Sequence, residues 1–194
     1  EKAVTYVVEH GLPSMYVTED TTRAHPDHID ILYTTAINCG AKRVVVADTV
    51  GHATRTGATN LIRFIKDVIE NTGEDVKIDW HGHNDRGFAL ASSLAAIRAG
   101  VDRVHGTALG IGERCGNASM DLLLVNLKMM GIIGNDLCRL NEYCRLVSEA
   151  THTPVPFNYP VIGPDAFRTA TGVHAAAVIK AFKKGDAWLA DRIY

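Results

Sequence analysis

Between Gly11 and Gly131, short runs of β-branched and apolar residues alternate four times with longer amphipathic stretches, the pattern of repeated βα units. The runs predict strands at residues 14–18, 43–47, 76–80 and 103–107, and the stretches between them predict helices at 26–39, 56–71, 87–99 and 118–130. Pro26 suits a first helical turn, where its missing N–H costs little, and Gly40 suits the position just past a helix end. In the third helix, Ala91, Leu94, Ala95 and Ile97 supply the expected apolar stripe, and Gly100 ends it. Parallel strands joined by crossover helices are the economical way to bury such a pattern.

The polar residues fall at one place in each unit. Glu19 and Asp20 follow the first strand, Asp48 and Thr49 the second, His81 to Asp85 the third, and Gly110 to Asn117 the fourth. In α/β barrels and open α/β sheets alike, the C-terminal edge of the strands carries the active site, so four clusters on that edge point to an enzyme. Beyond Gly131 the pattern changes to a helix at 136–150, a segment holding Pro154, Pro156, Pro160 and Pro164, and a helix at 172–183. We therefore expect two domains, a partial barrel at 1–131 and a helical subdomain at 132–194.

Composition removes several function classes. Lys+Arg (20) nearly balances Asp+Glu (22), the net charge is −2, and the basic residues are scattered, which argues against a nucleic-acid binder. No apolar run approaches the roughly 20 residues that cross a bilayer, and the start carries no charged and apolar targeting pattern, so a soluble, cytoplasmic protein without a membrane partner is expected. Cys39, Cys115, Cys138 and Cys144 lack CxxC spacing, which favours free thiols over a zinc finger.

His81 and His83 stand i, i+2 at a strand end, so both imidazoles project to one side and can reach one ion at about 2.0–2.2 Å. An isolated HxH is more often a pair of surface histidines; here Asn84 and Asp85 follow at once, and a second polar loop arrives from the next strand. That loop, GIGERCGN at 110–117, combines three glycines with Glu113, Arg114 and Asn117 before a helix, where tight turns and an anion are both favoured. It lacks the spacing of a dinucleotide or phosphate loop, and a purely structural turn remains open. Asp85 reads equally as a metal ligand or as an orienter of an imidazole. Arg23 and Arg114 could pair with Glu19 and Glu113 for structural reasons alone. His174 could be structural, and His10, His25, His28, His52, His105 and His152, scattered singly, receive no role.

The ordered motifs YVTEDTTR (16–23), ADTVG (47–51), HGHNDRG (81–87), GIGERCGN (110–117) and TGVH (171–174) resemble those of the 2-isopropylmalate, homocitrate and citramalate synthases. The resemblance covers nearly the whole chain. It implies a TIM-barrel type α/β fold, a divalent metal (Mg²⁺, Mn²⁺ or Zn²⁺), and acetyl-CoA and a 2-oxo acid as small-molecule substrates. The implied metal ligands are His81, His83 and Asn117. Thr49 would contact the substrate carboxylate with Arg23 as a further substrate-binding residue, Glu19 would lie near the ketone or the cation, and His174 would serve acetyl-CoA deprotonation. A cation lowers the energy of the alkoxide formed when carbon attacks a ketone, and neutral ligands keep it electrophilic. A histidine is a suitable base for the enolate.

One departure is plain. The family carries an Asp-Arg-Glu segment on its first barrel strand, and none precedes Tyr16. The four units correspond to the second half of the barrel. We expect a fragment or a half-barrel held as a homo-oligomer, since open sheet edges and apolar inner faces make a lone monomer unfavourable. Weak turnover is expected without the carboxylate that hard cations favour. A 3-hydroxy-3-methylglutaryl-CoA lyase-like activity shares the HxHND pattern but differs at GIGERCGN, and a noncatalytic metal- or ligand-binding derivative is the alternative of a different class.

Overall fold

A computed structural model describes residues 1–169 and 171–187, and the chain divides into two compact units after Cys138. In the first, helix α1 (Lys2–Glu9) precedes four βα units: β1 (Met15–Val17) and α2 (Pro26–Asn38), β2 (Arg43–Asp48) and α3 (Arg55–Thr72), β3 (Lys77–Gly82) and α4 (Ala89–Ala99), and β4 (Arg103–His105) and α5 (Met120–Met129). All strands pair in parallel in the order β1-β2-β3-β4. A sheet wound continuously in sequence order, with crossovers of one hand, keeps its helices on one face. That is the arc of a (β/α) barrel rather than a doubly wound open sheet, whose strand order reverses partway.

Local chemistry sets the helix ends. His25 Nδ1 accepts from the Asp27 N–H (3.3 Å) with Pro26 in the first turn of α2, and Thr54 Oγ1 accepts from the Gly57 N–H (3.1 Å) at the start of α3. Gly73 and Gly100 close α3 and α4 in the left-handed region, at φ 72° and 95°.

Strand alternation then separates the faces. Tyr16, Val44, Val46, Ile78, Trp80 and Val104 face the helices and pack with Tyr33, Ile62 and Ile65 in the main core. Truncating Ile62 or Ile65, both fully buried, would cost about 2–5 kcal/mol. Tyr33 ties α2 to the sheet, its hydroxyl donating to the Val45 carbonyl at 2.8 Å. The opposite face carries Arg43, Val45, Ala47, Asp79, His81, Arg103 and His105 in adjoining registers, with Met15 and Val17 on β1.

Three sequence expectations are corrected. β3 continues through Gly82, so His81 is a strand residue and only His83 lies beyond it. The buried face of α4 is Ala89, Ser92, Ser93, Ala95 and Ala96, while Ala91, Leu94 and Ile97 are half-buried, because small residues permit close approach of the helix. GIGERCGN does not enter a helix directly: Asn117 and Ser119 form isolated bridges with His83 and Thr107 before α5 begins at Met120.

The second unit, from Arg139 onward, contains α6 (Leu140–Thr151) and α7 (Gly172–Lys183), joined by the proline-bearing segment. Arg139–Glu142 and Arg145–Glu149 pairs run along α6, and Cys144 is its buried residue. Among the described residues no disulfide joins two cysteines. Among the described residues no helix is long and apolar enough to cross a membrane.

Candidate metal centre

The end of β3 brings His81 and His83 together, with Nε2 atoms 3.3 Å apart and ring centroids 5.1 Å apart. Asn117 reaches the same place because 82–84 and 116–118 zip together, the Asn84 N–H donating to the Gly116 carbonyl (2.9 Å) and the Ala118 N–H to the Gly82 carbonyl (3.1 Å). Glycines make this approach possible. A Cβ on Gly116, at φ 86°, would lie 1.9 Å from the Gly110 oxygen, and one on Gly112 would lie 2.1 Å from the Asn117 amide nitrogen. The loop thus keeps a slot for one side chain, that of Asn117.

The polar atoms in the slot are conspicuously unused. Asn117 Oδ1 and His83 Nδ1 are buried without a hydrogen-bond partner, a state that costs about 1–3 kcal/mol for each group left so. Burial first, then the neighbouring His83 and His105, holds the pKa of His81 below its ordinary 6.5, so the ring is neutral and offers a lone pair. Two nitrogens 3.3 Å apart, each about 2.1 Å from a common ion, would subtend roughly 100° there, an angle that tetrahedral and octahedral ions both accept. The residues present fit one face of a divalent-cation sphere. Among the described residues, no three His, Cys, Asp or Glu side chains gather closely enough to hold an ion. An ion held here would therefore draw on at least one ligand other than His, Cys, Asp or Glu side chains of the described residues.

The other predicted residues sort differently. Thr49 Oγ1 accepts from the Asp20 N–H at 2.7 Å, which leaves its hydroxyl hydrogen available to a ligand. Arg23 pairs not with Glu19 but with Asp20, through Nε (2.8 Å) and one Nη (2.7 Å), and that pairing draws the Asp20 carboxyl below its usual range. Glu19 is exposed at the end of β1. Asp85 grips neither imidazole nor slot: Arg114 donates to both its oxygens at 2.7 and 3.1 Å and also to the Thr49 carbonyl at 2.5 Å. His174 lies in the first turn of α7, in the second unit.

Two rim residues take parts that the sequence did not assign them. His105, paired in register with His81, places its ring 5.5 Å from it and its Nε2 3.1 Å from Asp79. Asp48, fully buried, accepts from Thr22 Oγ1 (2.9 Å) and from the His52 (2.8 Å) and Ala53 N–H groups, binding the loops after β1 and β2 into one knot. Parallel register was the signal for the first, and an Asp ending a run of valines for the second. Outside the knot opens a cavity of about 550 Å³ lined by Thr22, His52, Leu61, Phe64 and Arg86, to which the slot residues do not contribute.

The HMGL-like family model matches residues 1–147. A 2-isopropylmalate synthase of Sulfurisphaera tokodaii is 40% identical over 181 residues, covering 92% of this chain and 46% of that protein. A homocitrate synthase of Methanothermobacter thermautotrophicus is 38% identical over 182 residues, with 92% and 45% covered. The chain thus spans less than half the length of these curated relatives. Among solved structures, a hydroxymethylglutaryl-CoA lyase from Pseudomonas aeruginosa superposes with a TM-score of 0.68 at 17% identity, over 79% of this chain and 54% of that one. The carboxyl transferase domain of Rhizobium etli pyruvate carboxylase gives 0.66 at 17% identity, over 77% and 26%. At such identities these two likenesses show the fold.

Proposed function

The chain belongs to the HMGL-like family, and we propose that it forms the second half of a synthase barrel that condenses acetyl-CoA with a 2-oxo acid at a divalent-metal site. The observation that carries this reading is the slot itself: two converging imidazoles, with the pKa of His81 lowered by burial, and a buried Asn117 amide oxygen with no protein partner among the described residues. Its relatives named as 2-isopropylmalate and homocitrate synthases give the reaction class.

In this proposal His81, His83 and Asn117 hold Mg²⁺, Mn²⁺ or Zn²⁺. When bound, the ion supplies Lewis-acid polarisation of the ketone. Thr49, its oxygen lone pair engaged by the Asp20 N–H, donates its hydroxyl hydrogen to the 2-oxo acid's carboxylate. Arg23 holds Asp20 with two of its nitrogens and offers the remaining one to the same carboxylate. Glu19 stands exposed at the rim as the acidic group nearest in sequence to that pair. His174 takes the proton from the acetyl methyl group, a task suited to an imidazole near neutral pH. The chain acts as a homo-oligomer in which the edge strands β1 and β4 are covered.

The test is release of CoA from acetyl-CoA with a panel of 2-oxo acids and each metal, run beside cleavage of 3-hydroxy-3-methylglutaryl-CoA, with light scattering on the same sample. CoA release that needs metal and falls about 100-fold or more in His83→Ala supports the synthase reading. Metal binding without turnover favours a noncatalytic binder, and cleavage of the longer thioester favours a lyase. A well-folded monomer that turns over would remove the oligomer from the proposal.

A further inference from the structure

The first unit contains eight arginines, and five have partners. Arg23 is held by Asp20, Arg43 and Arg103 by Asp79, and Arg114 by Asp85, while Arg86 donates to the His52 carbonyl. The other three, Arg55, Arg63 and Arg98, form no ion pair and no side-chain hydrogen bond among the described residues, and all three line one groove of about 490 Å³ between α3 and α4. Thr56, Thr59 and Asn60 complete its polar wall, and no carboxylate lines it.

The placement is systematic. Arg55, Thr59 and Arg63 recur at i, i+4 and i+8, which sets them on one stripe of α3. Arg98 approaches from the last turn of α4, the helix that packs against α3. Arg55 opens an 18-residue helix whose first turn contains no acidic residue. A cation at the positive end of the macrodipole is intrinsically unfavourable, whereas an anion seated there would gain from the guanidinium and the helix end together. Asp67, one turn beyond Arg63, is exposed and has no ion pair among the described residues. In a chain that supplies carboxylates to every other arginine cation of this unit except Arg86, three uncompensated guanidiniums in a single concavity read as a site.

We propose that this groove binds a ligand carrying two adjacent phosphate groups, held by Arg55, Arg63 and Arg98. Guanidinium forks match phosphate oxygens two at a time, and three of them balance the charge of a diphosphate far better than that of a lone carboxylate. The volume exceeds what one phosphate fills. The groove lies on the helical side of the sheet, whereas His81 projects from the other side, so the site stands apart from the proposed metal centre and does not depend on it.

Calorimetric titration of the whole chain with sodium pyrophosphate, at about 150 mM NaCl, tests this directly. Saturable 1:1 binding is expected, weakened about tenfold or more in Arg63→Gln/Arg98→Gln and to a lesser degree in Arg55→Gln, with circular dichroism of each variant unchanged. Tighter binding of ADP than of pyrophosphate would identify a nucleotide as the source of the diphosphate, and equal binding the free ion; either upholds the proposal. Absence of saturation at that salt, equal affinity for citrate, or wild-type affinity in the folded variants would overturn it.

Discussion

Asp79 and His81 stand two residues apart on β3 and project to the same face of the sheet, yet Asp79 is saturated with partners, whereas at the end of the same strand His83 and Asn117 hold buried polar atoms without any. Asp79, fully buried, is met by Arg43, by His105 at 3.1 Å and by Arg103 at 3.7 Å. His81 Nε2 meets a second imidazole nitrogen at 3.3 Å, and Asn117, bridged to His83, has a buried Oδ1 with no partner among the described residues. A buried polar group with its partners in place serves the fold, because the desolvation cost is offset inside the protein. One left without partners lowers stability, and at a binding site a ligand can complete it. On the proposed reading, the boundary between scaffold and site runs between two residues of one strand.

The sharpest way to break this comparison is to remove the saturated partner. Asp79→Asn leaves Arg43, mostly buried at 23% exposure, without its counter-ion, and takes the charged acceptor from His105. We expect unfolding to become easier by about 3 kcal/mol, read from urea denaturation. A change below about 1 kcal/mol would mean that Arg43 escapes to water and that the cluster is no scaffold.

The converse substitution sharpens it. Asn117→Ala deletes a buried acceptor that bonds to nothing in the protein, so stability should move by less than about 1 kcal/mol and in either direction. Affinity for Mn²⁺, followed by electron paramagnetic resonance, should fall by about tenfold or more. A variant destabilised as strongly as Asp79→Asn would place Asn117 on the scaffold side.

How much of this was legible in the sequence follows from the same division. Strand and helix positions came through because β-branched runs and amphipathic stretches are local signals, and β2 and β3 lie within two residues of their expected ends. The HxH spacing put His81 and His83 together in the sequence, and Asn117 joined them only through the resemblance of the glycine loop to the synthase motifs; the structure brings Asn117 to His83 through an isolated bridge. The Asp79 cluster was not, since Arg43, Arg103 and His105 come from three strands and meet only through parallel register. Of the two pairings the sequence left open, Arg114 does meet Glu113, at 3.5 Å, though it binds Asp85 more closely, whereas Arg23 pairs with Asp20 in place of Glu19. The small-residue face of α4 was missed because Ser92 and Ser93 are polar in composition yet small enough to sit inside, Ser92 Oγ donating back to the Ala89 carbonyl at 3.2 Å.

The smallest effect concerns the charge state of His81. In the folded chain its pKa is lowered, by burial first and then by His83 and His105, while in the unfolded chain it titrates near 6.5. Between those two values the unfolded state binds more protons than the folded one, so unfolding free energy rises with pH across that window. Above 6.5 both states are neutral at this position and the contribution is constant; as pH falls through 6.5 it is lost progressively, until the folded pKa is passed. Comparing wild type with His81→Gln by urea denaturation at several pH values isolates the effect as the difference between the two slopes. The difference should stay below one proton, because a single half-buried ring is involved, and it should vanish above pH 7. A difference of opposite sign would mean that the folded protein holds His81 protonated, which would disqualify it as a metal ligand near neutral pH and move the division between scaffold and site beyond β3 to His83.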